Sequence, residues 1–135
     1  MDKQEANLEL IRQAYADFGR GDIAAVLQRF APDALWQHAG DPALVAIAGD
    51  YRGRDGIARF FQRVVESYDI LEFVPQRLQA FEDQVLVHGR ERMRFANGRE
   101  VVLRWLHLFT ISNGSITAGE EWTDGAAMLA AQRGL

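Results

Sequence analysis

The stretch Arg99-Glu100-Val101-Val102-Leu103-Arg104-Trp105-Leu106-His107-Leu108-Phe109-Thr110-Ile111-Ser112 decides the fold. Side chains along a strand alternate between its two faces. The alternation puts Val101, Leu103, Trp105, His107 and Phe109 on one side, and Val102, Arg104, Leu106 and Leu108 on the other. Both sides are largely apolar, so one face belongs to a core and the other is available to a second surface. The same period of two runs through Ile70 to Phe81, Val85 to Phe95 and Ser115 to Asp124. Between these runs, Glu82-Asp83-Gln84, Ala96-Asn97-Gly98 and Asn113-Gly114 supply the turn chemistry of antiparallel hairpins. The second half of the chain therefore reads as a four-stranded meander.

Upstream the period becomes helical. Leu8, Ile11, Tyr15 and Phe18 share one helical face that Gly19-Arg20-Gly21 ends, and Asp22 caps a second helix carrying Ile23, Val26, Leu27 and Phe30. Pro32 stops that helix, and a first strand follows from Ala34 to His38. The next loop holds Gly40-Asp41-Pro42 and Gly49-Asp50 around the apolar run Leu44 to Ala48, and is a candidate lid. Asp55 is expected to cap a third helix with Ile57, Phe60, Phe61, Val64, Val65 and Tyr68 inward. Gly125 to Arg133 reads as a short final helix. The expectation is an α+β fold: a curved antiparallel sheet with three helices of the N-terminal half packed on its concave face.

At 135 residues, with 48% hydrophobic and 25% charged residues, the chain is sized and composed for one globular domain spanning 1–135. Its net charge of −4 argues against general attraction to nucleic acid or anionic membrane. The arginine row Arg90, Arg92 and Arg94 lacks the aromatic partners of a nucleic-acid surface. With no cysteine, disulfides, thiolate metal sites and cysteine nucleophiles are excluded. The polar start and the lack of a membrane-length apolar stretch make the cytoplasm the expected location.

The tripeptide Trp-x-His occurs twice, as Trp36-Gln37-His38 and Trp105-Leu106-His107. In a strand, residues two apart face the same way at about 6.6 Å, so each unit sets an imidazole beside an indole on one face. Imidazoles change charge near neutral pH, which makes the pair candidates for proton chemistry; the plainer alternative is a pair of hydrogen-bonded core histidines. Strand parity also places Glu91 on an otherwise apolar face with Val85, Val87, Gly89 and Met93, and Glu121 with Thr117, Gly119 and Thr123. His88 falls on the opposite face among the arginines. No compact metal-ligand spacing is present, so no metal or cofactor is expected.

The order of elements resembles the cone-shaped fold of the nuclear transport factor 2-like superfamily, in its SnoaL-like polyketide cyclase and ketosteroid isomerase branch. The resemblance rests on Tyr15-Ala16-Asp17-Phe18-x-x-Gly21-Asp22, Phe30-Ala31-Pro32-Asp33-Ala34, Gly53-Arg54-Asp55-Gly56-Ile57 with Phe60-Phe61, and His107-x-Phe109-x-Ile111-x-Asn113-Gly114-x-Ile116. It implies that His38 stands where ketosteroid isomerases hold their proton-shuttling carboxylate, and His107 near their oxyanion-hole acid. It puts the isomerase's oxyanion tyrosine at Ala14, one residue before Tyr15. A likeness to limonene epoxide hydrolase matches Glu121 and Glu91 to its catalytic aspartates.

The function expected from residues and resemblance together is cofactor-independent acid/base chemistry, of isomerase, cyclase or dehydratase type, on a small apolar carbonyl compound. His38 is the candidate base; His107 would donate to an oxyanion or hold Glu121; Glu91 is a further acid; Tyr15, Trp36, Phe61, Trp105 and Phe109 would line the pocket. The alternatives are a ligand-binding or sensor protein, a dimeric interaction module and, least, an epoxide hydrolase. A homodimer through the convex sheet face is the expected assembly.

Overall fold

Six strands form one sheet in the order β2-β1-β6-β5-β4-β3 in the computed structural model, which describes residues 2–135. In chain order the elements are α1 (Lys3–Gly19), α2 (Ile23–Gln28), β1 (Phe30–His38), β2 (Gly49–Arg52), α3 (Gly53–Ser67), β3 (Asp69–Phe81), β4 (Gln84–Arg94), β5 (Glu100–Ser112), β6 (Ser115–Thr123) and α4 (Gly125–Arg133). The α+β class, the helix-sheet order and the meander agree with the sequence reading. Among the described residues no helix is long and apolar enough to cross a membrane.

Four features differ from that reading. β1 pairs parallel with β6, which makes the sheet mixed; β1 is joined to the meander by long helical connections, so no hairpin dictates its direction. The loop after His38 contains β2, antiparallel to β1, in which only Tyr51 is buried, too little for a visible alternation. The apolar run is no lid: Val45, Ile47 and Ala48 are buried in the core, and the Tyr51 hydroxyl donates to the Ile47 carbonyl at 2.9 Å. Finally, α3 starts before Asp55, which lies in its first turn and favours the helix dipole without capping, and Val65 turns outward, 77% exposed.

The sheet bends because its ladders shift register, within β1 and twice along β3, and again near Thr110; bulges of this kind kink and twist a strand. Pro75 falls inside β3, a place open to proline because β3 is an edge strand. At the foot of the helical layer the buried Asp17 carboxylate accepts from Arg29 Nε at 2.6 Å and from Arg20, tying α1 to the start of β1. Hydrogen bonding from Arg29 is the main reason its pKa lies below the ordinary range.

Each tryptophan of the two Trp-x-His units lies over a glycine. Trp36 pairs in register with Gly119, and Trp105 with Gly89. A Cβ on Gly119 would fall on Trp36 Cε3 and Cζ3; one on Gly89 would fall on the Trp105 ring and also on the Val74 carbonyl oxygen. These absent side chains let the indoles lie flat on the sheet. Overpacking a core typically costs about 1–3 kcal/mol, so Gly89→Ala and Gly119→Ala should both lower the urea midpoint. Gly89→Ala should lower it more, because one of its obstacles is backbone.

Glu91 is buried on the concave face of β4, opposite Phe73 and Leu103. Burial, and secondarily the charge of Glu121, raise its pKa to about 8. An unfolded glutamate releases its proton near pH 4.3, whereas folded Glu91 keeps it to about pH 8. Between those values the folded state holds the extra proton, so stability declines as pH rises and then levels off. Glu91→Gln should flatten this slope and raise stability at pH 8 by on the order of 3 kcal/mol, read from urea unfolding at pH 5 and pH 8.

Candidate functional site

The site grows out of strand register. On β6, Glu121 lies between His107 of β5 and His38 of β1, and the neighbouring rung is Phe109, Gly119 and Trp36. A carboxylate two residues beyond a glycine is thereby flanked by both imidazoles, with the indole filling the glycine's vacant face.

His107 Nε2 is 2.9 Å from Glu121 Oε2, and its Nδ1 is 2.7 Å from the Tyr15 hydroxyl, which α1 delivers. Glu121, 7% exposed, is pushed up by burial, but the positive charge that His107 carries when protonated, its hydrogen bond, and the positive charge of a protonated His38 outweigh that and lower its pKa. A carboxylate can only accept, so His107 donates from Nε2; when the ring is neutral, its Nδ1 takes the Tyr15 hydrogen. Burial first, and Glu121 second, raise the Tyr15 pKa well above its usual value, so the phenol stays protonated. With a neutral His107 the chain runs from Tyr15 O–H to His107 to the Glu121 carboxylate. The His107 ring is fixed by stacking on Trp105, centroids 4.2 Å apart, and by the edge contact with Trp36 at 5.3 Å.

His38 is 3% exposed. Its Nδ1 is 2.8 Å from the Ala39 carbonyl oxygen and must carry the hydrogen there. Nε2 stands 3.8 Å from Glu121 Oε1 and has no hydrogen-bond partner among the described residues.

An apolar cavity of about 80 Å³ opens between the helices and the sheet. Tyr15, Trp36, Phe61 and Phe109 line it as the sequence suggested, together with His107 and Glu121. Three expected residues do not border it. Trp105 is buried behind His107, stacked on Phe73 at 4.6 Å; His38 lies behind Glu121, and Glu91 is further along the sheet. Strand parity gives the face of a residue but not its position along the cavity axis. Tyr68, Phe60 and Phe73 also line the cavity and were not singled out for the site in the sequence. Phe18, Phe61 and Phe73, from α1, α3 and β3, are half-buried and meet at 5.2–6.0 Å between centroids. His88 is on the opposite face, exposed, as expected.

Among the described residues no group of three or more ionisable side chains is arranged to hold a metal ion. His107 already engages both ring nitrogens.

The chain and its fold have counterparts among known proteins. An uncharacterised protein of Mycobacterium tuberculosis is 32% identical over 126 residues, covering 91% of this chain and 93% of that protein. The crystal structure of a nuclear transport factor 2-like protein of unknown function from Burkholderia pseudomallei superposes with TM-score 0.87 at 26% identity, covering 93% of this chain and 96% of that one. TerC, co-crystallised with polyporic acid, also gives 0.87 at 26% identity, covering 95% and 98%. The SnoaL-like domain family matches residues 11–119, and the chain belongs to that family, within the nuclear transport factor 2-like superfamily.

Proposed function

We propose that the protein is a cofactor-independent acid/base enzyme acting on a small apolar carbonyl compound, in a reaction of isomerase, cyclase or dehydratase type. The observation that carries this reading is the hydrogen-bonded chain Tyr15–His107–Glu121, whose tyrosine end borders an apolar cavity. As a proton leaves the carbon beside the substrate carbonyl, the Tyr15 oxygen accepts it and passes its own hydrogen to His107 Nδ1. The imidazolium so formed lies against the Glu121 carboxylate, which offsets its charge. Return of the proton by the same route, to a different atom, completes the reaction without a cofactor.

In this scheme Tyr15 meets the substrate and His107 stores the proton. His38 becomes a positioning residue, because its side chain does not border the cavity. Its ring packs Glu121 from the side opposite His107. Glu91 has no step in the relay. A second reading, a ligand-binding or sensor protein, uses the same cavity without turnover; the aromatic walls favour it equally, and the relay does not.

We also propose that the convex sheet face joins two copies of the chain. Val102, Leu106 and Trp122 are exposed there on adjacent strands. Arg104 stands opposite Arg90 in register, and Arg90 is neutralised by Glu72 at 2.6 Å.

Proton abstraction is testable without the natural substrate. Wild type should speed deuterium uptake from D₂O into the methyl group of 4-hydroxyacetophenone, followed by NMR, and Tyr15→Phe and His107→Asn should each reduce that rate by about 100 to 10,000-fold, the usual range for a positioned acid or base. Binding of the ketone with no exchange above buffer would favour the sensor reading. Wild type should sediment as a dimer, and Trp122→Arg should shift it toward monomer; a monomeric wild type would exclude the convex-face pairing.

A further inference from the structure

The charged polar atom that this cavity offers a ligand is an acceptor. Glu121 gives Oε2 to His107, whereas Oε1 accepts no hydrogen bond among the described residues and has His38 Nε2 at 3.8 Å, too far for one. In the neutral His38 ring that nitrogen presents a lone pair, because Nδ1 holds the hydrogen for the Ala39 carbonyl. With His107 neutral, Tyr15 commits its one hydrogen to that ring and shows the cavity only lone pairs. Trp36 Nε1, a donor on a wall residue, is fully buried and uncharged; the Tyr68 hydroxyl can give or accept. An oxyanion hole needs converging donors; with both histidines neutral, the Glu121 end of this cavity presents acceptors instead.

A lone carboxylate oxygen facing aromatic walls is costly unless something donates to it. Water supplies a hydrogen but fills little of an apolar space. A phenol supplies the hydrogen and a ring of matching shape, and its hydrogen bond to a charged acceptor is about twice as strong as a neutral one. Its anion would meet Glu121 as a like charge and be rejected. The free volume of about 80 Å³ calls for a single ring.

We propose that the cavity is specific for a neutral phenol that donates its O–H to Glu121 Oε1, in preference to a bare ketone, an aldehyde or an oxyanion. The proposal rests on the reading of this cavity as the acid/base site and narrows its substrates to those carrying a phenolic hydroxyl, with the carbonyl elsewhere on the molecule. Donor selection of this kind discriminates well, because an analogue without the hydroxyl leaves the acceptor unpaired.

Calorimetric titration with phenol, toluene, benzaldehyde and 4-nitrophenol decides the matter. Phenol should bind about tenfold more tightly than toluene or benzaldehyde, and 4-nitrophenol should lose affinity as pH rises through its own ionisation. In Glu121→Gln the amide oxygen can keep the His107 bond and turn its NH₂ to the cavity, so benzaldehyde should overtake phenol. Benzaldehyde binding as well as phenol in wild type, or 4-nitrophenolate binding better than the neutral form, would overturn the proposal; the wild-type series suffices if the variant does not fold. Absence of binding by all four probes would remove the cavity reading as well. Phenol preference without any deuterium uptake into 4-hydroxyacetophenone would leave donor selection standing and remove only the enzymatic reading.

Discussion

A single buried carboxylate, Glu121, organises this molecule. It lies in register between two imidazoles, hydrogen-bonded to one and 3.8 Å from the other. A buried charge is tolerated only when paired and hydrogen-bonded, and here the pairing requires β1, β5 and β6 to keep one alignment. A slip of one residue would turn Glu121 to the opposite face of the sheet and separate it from both histidines. The parallel β1–β6 contact, which joins remote parts of the chain, thus carries the same specification as the hairpins. Asp17 does related work at the helical end, where two guanidiniums hold α1 to the start of β1.

Much of this architecture is legible in the chain. The meander is written in period-two runs and strong turn residues, and its four strands fall within a residue or two of the sequence expectation, whereas β1 starts at Phe30, which the sequence reading placed in the second helix. The helices follow from apolar stripes and aspartate caps, with Asp22 and Asp124 both accepting from the first turn they precede. The less legible features have local and remote causes. β2 buries only Tyr51 and so shows no alternation, and the β1–β6 pairing joins segments far apart in sequence, so no local pattern marks it. Two strand positions of equal parity, His38 and His107, have different fates because helix packing decides which one meets the cavity. Trp105 looks like a pocket wall beside His107, yet Gly89 leaves room for its ring to lie against the sheet, outside the lining of this cavity.

The relation between the glycines and the indoles links the fold to the chemistry. Trp36 touches His107 edge-on and Trp105 stacks on it, so the imidazole that bridges Tyr15 and Glu121 is braced on two sides. Preorganisation of this kind lets a hydrogen-bonded chain act without rearranging its own dipoles during reaction. The bracing depends on residues with no side chain at all, which is why Gly89 and Gly119 matter to a site they never touch.

Phe18, Phe61 and Phe73 converge from three different elements over a cavity of about 80 Å³, well below the roughly 300–1,000 Å³ typical of ligand sites. A ligand larger than one ring is therefore accommodated only if these side chains turn aside, and for such a ligand their rotation, as well as encounter, enters the rate of association.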